Sequence, residues 1–148
     1  MGAEAVIHCG DLIGANTLRA SLKLGIPLHA VHGNNVGDQM ALHRMMGKYG
    51  SLFTYHGQDA ELELGGRRIF ATHYPHYGRA MACTGEYDLV CCGHSHVAEI
   101  IQQQNILGGK TLLVNPGSVS GIGAPGVEEA FTWILGDLDS MRFEILKH

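Results

Sequence analysis

Residues 89–96 read L-V-C-C-G-H-S-H, an apolar run that ends directly at a glycine and two histidines. A short apolar run stopped by glycine predicts a buried β-strand. Histidines just past such a strand are held by the rigid sheet and left exposed by the loop. An extended i, i+2 geometry would point the imidazoles of His94 and His96 to one side. The pair could then serve two neighbouring metals, or one metal jointly.

Four further fragments repeat this arrangement of an apolar run and a polar end. They are H-C-G-D at 8–11, G-N-N at 33–35, T-H at 72–73 and N-P-G-S at 115–118. We expect Asp11, Asn34 and His73 to meet at one rim of a sheet, where imidazole and oxygen ligands would suit borderline divalent metals. Taken singly, Gly-Asp and Gly-Asn are turn signals, and His73 could be a hydrogen-bonded core histidine. The order of the fragments favours a metal site.

The hydrophobic pattern of the chain predicts more strands than helices. Predicted strands cover residues 5–9, 27–31, 52–55, 60–64, 68–72, 87–92, 97–102, 110–114, 130–135 and 141–145, and predicted helices cover 14–24, 38–48 and 77–84. Helices alternate with strands in the first half, whereas strands follow strands in the second. This α/β pattern predicts two mixed sheets packed face to face with helices outside. We expect a single domain over residues 1–148.

The composition excludes several classes of protein. A net charge of −4 leaves no basic nucleic-acid-binding patch, and no apolar run is long enough to cross a membrane. The four cysteines have no disulfide-like spacing, which favours reduced thiols and a cytoplasmic location. Cys91 and Cys92 lie within a predicted strand, one pointing to each face, so they are expected to pack in the core and not to bind zinc. Ten histidines raise the expectation of metal binding.

The five fragments, in this order, resemble the calcineurin-like metallophosphoesterase superfamily. The likeness extends over nearly the whole chain, and the N-P-G-S-V-S run at 115–120 is typical of small phosphodiesterases of the YfcE type. The resemblance implies a four-layer αββα sandwich of two mixed β-sheets flanked by helices. It also implies a metal-dependent phosphoesterase that hydrolyses small phosphodiesters with a metal-bound or bridging hydroxide.

The resemblance further implies the metal ligands. Asp11 would bridge two metals, Asn34, His73 and His94 would complete one of them, and His96 would bind the other. Asp11, Asn34 and His94 would then be the catalytic residues. Manganese is the expected cofactor, and nickel, iron or zinc would also suit these ligands.

Three residues are expected to contact the small phosphate-ester substrate: Asn34, Asn35 and His76. Asn35 stands where many relatives carry a histidine that protonates the leaving group. An amide cannot donate that proton usefully, which argues against difficult leaving groups. His76 follows the predicted ligand His73 in a loop and could touch phosphate.

The beginning of the sequence differs from the family pattern. Relatives open with an Asp-x-His strand and a helix, and the resemblance implies that both are missing here. The second metal would keep only Asp11 and His96, whereas three protein ligands are usual in a catalytic site. The open strand edge is expected to favour a homodimer. The alternative is a catalytically impaired domain that serves as a protein-interaction or regulatory module, like the retromer's phosphoesterase-like subunit.

Overall fold

The computed structural model describes residues 2–128 and 130–148. Within these residues the strands form a three-stranded sheet, a five-stranded sheet and a separate hairpin. The strands are β1 (Val6–His8), β2 (Leu28–Ala30), β3 (Phe53–Tyr55), β4 (Asp59–Leu64), β5 (Arg67–Thr72), β6 (Leu89–Cys91), β7 (Ala98–Gln104), β8 (Lys110–Pro116), β9 (Thr132–Asp137) and β10 (Arg142–Lys147). The helices are α1 (Leu18–Leu22), α2 (Gln39–Tyr49) and α3 (Pro75–Thr84), with 3-10 turns at Ala15–Thr17 and Gly50–Leu52.

The first sheet, in the order β1-β2-β3, is wholly parallel. Its connections run through α1 and α2, which return the chain to the same edge. One face packs against these helices in a core of buried apolar side chains: Leu12, Ala15, Leu18, Leu22, Leu28, Ala30, Leu42, Met45 and Phe53. Helix α2 begins where the Asp38 carboxylate accepts a hydrogen bond from the Ala41 amide at 2.9 Å.

The second sheet has the order β4-β5-β6-β8-β7 and is mixed. Its central strands β5, β6 and β8 run parallel, and β4 and β7 pair antiparallel at the two edges. Helix α3 begins at Pro75, ends at the left-handed Gly85, and covers the outer face of this sheet. Phe70, Val90 and Leu113 are buried beneath it.

A third core fills the space between the two sheets. Its buried members are Val31, Ala60, Ile69, Ala71, Leu89, Cys91, Leu112 and Val114. Cys91 faces this core, and Cys92 faces the core beneath α3, so the two thiols point to opposite faces as expected. The layers are therefore helices, sheet, sheet and helix, which confirms the predicted class of two sheets flanked by helices. The closing hairpin β9-β10 forms a two-stranded sheet of its own, and the Thr132 amide at its start donates to the Ser118 carbonyl at 3.0 Å.

An open cleft of about 1400 Å³ lies beside β1. It is lined by β1 on one side and by the β9-β10 hairpin on another, and it reaches the rim that carries the predicted ligands. In the part of the chain that the structure describes, β1 pairs only with β2, and its residues line this cleft. None of the helices formed by the described residues is both long and apolar enough to span a bilayer.

Candidate metal centre

Four of the five predicted metal ligands meet at the carboxyl ends of the parallel strands. Asp11 follows β1, Asn34 follows β2, His73 follows β5 and His94 follows β6. Asn34 Oδ1 lies 2.8 Å from His73 Nε2 and 2.8 Å from His94 Nδ1. His73 Nε2 lies 3.2 Å from His94 Nδ1 and 3.4 Å from Asp11 Oδ1. We call these four side chains the rim cluster.

His73 is the most buried member of the rim cluster, with 2% of its surface exposed. Burial lowers the pKa of its imidazole, against the opposing influence of the Cys9 carbonyl and the Asp11 carboxylate. The neutral ring donates from Nδ1 to the Cys9 carbonyl oxygen at 2.7 Å. Its Nε2 therefore presents a bare lone pair to the cluster. The alternative of a hydrogen-bonded core histidine explains the bond made by Nδ1. It does not explain why Nε2 faces other acceptor atoms.

Asp11 presents a carboxylate held in place by Asn35. The Asn35 backbone amide donates to Asp11 Oδ1 at 2.8 Å, and its side-chain amide donates to Oδ2 at 3.0 Å. Burial raises the pKa of Asp11, but these hydrogen bonds and the nearby His73 and His94 together lower it below the ordinary value. In this structure Asn35 thus positions a predicted metal ligand, and its contact with substrate stays a prediction.

His96, the fifth predicted ligand, makes its hydrogen bond outside the rim cluster. Its Nδ1 donates to the Ile122 carbonyl oxygen at 2.7 Å, and no hydrogen bond joins it to the other predicted ligands in the described residues. The expected extended geometry of His94-Ser95-His96 is wrong. His94 and His96 have φ of 66° and 59°, because the chain bends at Gly93, where the Ser95 amide donates to the Gly93 carbonyl.

Backbone strain is concentrated at these ligands. Among the described residues, four non-glycine residues have positive φ, and three of them are the predicted ligands Asp11, His94 and His96. Such conformations cost free energy and persist only where the surrounding structure enforces them, commonly at functional sites. The strain is therefore independent support for a functional site at this rim.

Two glycines permit the close approach of the ligand loops. A Cβ atom on Gly33 would lie 2.1 Å from Asp11 Oδ1, and one on Gly10 would lie 2.4 Å from His73 Nδ1. Gly10 also has a φ of 104°, whereas Gly33 does not require a left-handed backbone. Packing of the loops, more than turn geometry, therefore explains the glycine that precedes Asn34.

Asn115 is a positioning residue at the start of the N-P-G-S fragment, to which the sequence analysis gave no role of its own. It is fully buried, and its Nδ2 donates to the Gly93 carbonyl at 2.8 Å and to Ser95 Oγ at 2.9 Å. Its Oδ1 accepts from the Gly117 amide at 3.0 Å. One amide thus joins the loop that carries His94 to the turn after β8. The N-P-G-S fragment marked this position, and a polar residue at the end of an apolar run was the signal for a buried positioning role.

His76 lies in α3 and is exposed. Its ring packs near Tyr74 and Tyr77, with centroids 5.6 Å and 4.1 Å away. No hydrogen bond connects it to the rim cluster in the described residues. The structure therefore places His76 near the site, but among aromatic rings.

The rim cluster fits a divalent metal by its chemistry and spacing. Ligands bonded to one metal at about 2.1 Å lie about 3.0–3.4 Å apart, and the observed separations of 2.8–3.4 Å are similar. The bare His73 Nε2 faces the acceptor oxygens of Asn34 and Asp11, and a cation would resolve this conflict. Without the amide, the described His, Cys, Asp and Glu side chains form no group of three arranged to hold a metal.

Comparison with known proteins matches this architecture. The sequence-family model for the calcineurin-like phosphoesterase superfamily domain matches residues 1–141 of this chain. The chain is 28% identical over 120 residues to the phosphodiesterase MJ0936 of Methanocaldococcus jannaschii, covering 80% of this chain and 69% of that protein.

Two solved structures share the fold. An archaeal phosphodiesterase superposes with a TM-score of 0.82 at 22% identity, covering 98% of this chain and 83% of that one. Wild-type Vps29 of Entamoeba histolytica, complexed with Zn²⁺, superposes with a TM-score of 0.52 at 16% identity, covering 96% of this chain and 97% of that one.

Proposed function

Since the chain belongs to the calcineurin-like phosphoesterase superfamily, we propose that it is a metal-dependent phosphodiesterase acting at the rim cluster. The observation that carries the proposal is the bare Nε2 of His73, which faces the acceptor oxygens of Asn34 and Asp11. Phosphodiesters are the proposed substrates because the relatives MJ0936 and the archaeal protein are named phosphodiesterases. The proposed unit is one domain over residues 1–148.

The four side chains of the rim cluster would hold the metal. A bound divalent ion supplies a hydroxide near neutral pH and stabilises negative charge on phosphoryl oxygens. Manganese is proposed, and nickel, iron and zinc suit the same ligands. Asp11 is the proposed bridge to a second ion, to which His96 would be a ligand.

The remaining groups hold the metal ligands and the substrate in position. The Cys9 carbonyl fixes the His73 tautomer, and Asn35 holds both oxygens of Asp11. Asn34 and Asn35 are exposed at the rim, where amide groups can donate to phosphate oxygens. None of these groups donates a proton readily to an alkoxide, so esters with good leaving groups are the expected substrates.

Hydrolysis of bis(4-nitrophenyl) phosphate with Mn²⁺ tests the proposal. Asn34→Ala should lower kcat/KM at least about 100-fold, because it removes an oxygen from the centre. Asn16→Ala, an exposed amide in the 3-10 turn before α1, is the matched control and should retain activity. Absence of metal-stimulated hydrolysis by the unmutated chain would contradict the proposal.

A second candidate is a non-catalytic interaction or regulatory module. The fold likeness to Vps29 favours it, as does the hydrogen bond that engages His96 with the Ile122 carbonyl and not with another predicted ligand. In that case the chain would bind metal without hydrolysing phosphodiesters. Metal content measured beside activity separates the two candidates.

Homodimerisation is also proposed. Strand β1 has an unpaired edge beside the cleft, and His8 Nδ1 is buried there without a hydrogen-bond partner in the described residues. A strand from a second copy would cover that edge. Light scattering at rising concentration should show a dimer, and a monomer throughout would contradict it.

A cytoplasmic location is proposed because the four cysteines are free.

A further inference from the structure

We infer that the start of α3 forms a stacking platform for a planar aromatic group on the substrate, such as a nucleobase. The platform consists of Tyr74, His76 and Tyr77, and we call it the aromatic platform. The inference rests on the proposed phosphodiesterase function and names its substrate class: a phosphodiester in which one ester group carries a flat ring.

The aromatic platform begins at the rim cluster. The Tyr74 ring centroid lies 4.9 Å from that of His94 and 5.0 Å from that of His73. The Tyr74 ring is inclined by 61° and 71° to these imidazoles, in edge-to-face contact. A phosphoryl group at the rim cluster would therefore have an aromatic side chain as an immediate neighbour.

The platform continues from the half-buried ring of Tyr74 to the exposed rings of His76 and Tyr77. Tyr74 lies 5.6 Å from His76 and 6.1 Å from Tyr77, and these last two lie 4.1 Å apart. Tyr77 keeps 57% of its surface exposed, and His76 is also exposed. Pro75 at the first position of α3 restricts the backbone between them. The rings are thus carried by a rigid element and remain open to a ligand.

The chemistry of this surface suits a flat ring better than a second phosphate. Aromatic faces take bases of any identity by stacking. The cation near this end of α3, Arg79, already pairs with Glu99 at 3.5 Å. No described salt bridge or hydrogen bond turns His76 toward the rim cluster. We therefore assign His76 to the stacking surface, and its contact with phosphate stays a prediction.

The test compares two ligands that share a phosphate and differ by a base. Adenosine 5′-monophosphate and ribose 5-phosphate are titrated into the Mn²⁺-loaded chain by calorimetry. We expect the nucleotide to bind about tenfold more tightly, since stacking contributes about 5- to 150-fold per base. Tyr77→Leu should reduce this ratio to near one, and Tyr77→Phe should preserve it because the ring remains. Tyr49→Leu, which removes a half-buried tyrosine at the end of α2, is the control and should leave the ratio unchanged.

Equal binding of the two ligands, no binding of either, or an unchanged ratio in Tyr77→Leu would overturn the inference. The hydrolysis assay separates it from the proposed function. A tenfold preference without hydrolysis supports the platform and contradicts the enzyme. Hydrolysis of bis(4-nitrophenyl) phosphate without a base preference supports the enzyme and contradicts the platform.

Discussion

Single hydrogen bonds decide what the rim cluster can bind. The Cys9 carbonyl occupies His73 Nδ1, and burial keeps the imidazole neutral by lowering its pKa. A metal competes with protons for imidazole, so a histidine that resists protonation retains its ligand lone pair at lower pH. Asn35 acts similarly on Asp11 by keeping the carboxylate charged. Both contacts are made by groups that are not themselves proposed ligands.

Replacing Asn115 with alanine should weaken both the fold and metal binding. The variant loses three hydrogen bonds at a fully buried site; it leaves the Gly117 amide without its partner, and the Gly93 carbonyl keeps only the bond from the Ser95 amide. The expected loss is about 2 kcal/mol of unfolding free energy, with a weaker Mn²⁺ affinity because the His94 loop is released. Urea unfolding and metal titration measure the two effects. Asn16→Ala is the exposed control, and a wild-type affinity in Asn115→Ala would refute the positioning role.

A second pair of histidines should make the protein less stable in acid. His29 Nδ1 lies 3.0 Å from His56 Nε2. Burial lowers the pKa of His29, and burial together with His29 lowers the pKa of His56. The unfolded chain therefore takes up more protons than the folded one as pH falls below about 6.5, and stability is lost in that range.

The measurement is the Tm of metal-free protein between pH 7.5 and 5. The double variant His29→Gln/His56→Gln should lose less Tm over this range than the unmutated chain. The exposed His43→Gln serves as the control. An identical pH dependence in the double variant would exclude the pair as the source.

The loop after β2 should tolerate no side chain at Gly33. A methyl group there would meet the Asp11 carboxylate at 2.1 Å, and the Asp11 backbone nitrogen lies 2.2 Å away. Gly33→Ala is therefore expected to destabilise the fold by about 1–3 kcal/mol and to weaken Mn²⁺ binding at least about tenfold by displacing Asp11. Thermal unfolding and metal titration measure both.

Gly47→Ala is the matched control for this prediction. Gly47 lies inside α2, and nothing stands within 4 Å of its added methyl group. Since alanine favours a helix over glycine, this variant should gain up to about 1 kcal/mol. Equal unfolding free energies and equal Mn²⁺ affinities in Gly33→Ala and Gly47→Ala would contradict the close approach of the loops.

The sequence predicted the elements well where a local pattern specifies them. Helix α2 was expected at 38–48 and covers Gln39–Tyr49, because Asp38 caps a periodic apolar face. Strand β6 was expected at 87–92 and covers Leu89–Cys91. The bend at His94–His96 was not predicted. It depends on the hydrogen bond from the Ser95 amide to the Gly93 carbonyl and on Asn115, which lies about twenty residues away in sequence. Contacts of that kind leave no periodic pattern.

The four layers explain why distant fragments form one site. Parallel strands in both sheets end at the same rim, so Asp11, Asn34, His73 and His94 converge although they span most of the chain. The sequence could predict this convergence from the order of apolar runs. It could not predict that His96 would turn to the Ile122 carbonyl or that His76 would join Tyr74 and Tyr77, because those outcomes depend on how loops pack after the sheets form.

Elemental analysis of the Mn²⁺-loaded chain after removal of excess metal tests the rim cluster most directly. The account predicts at least about one tightly held ion per chain, lost in Asp11→Asn and in His73→Ala, and retained in His43→Ala, which alters an exposed histidine of α2. A second ion would support Asp11 as a bridge. Retention of metal by both Asp11→Asn and His73→Ala, or no retained metal in the unmutated chain, would contradict the assignment of this site.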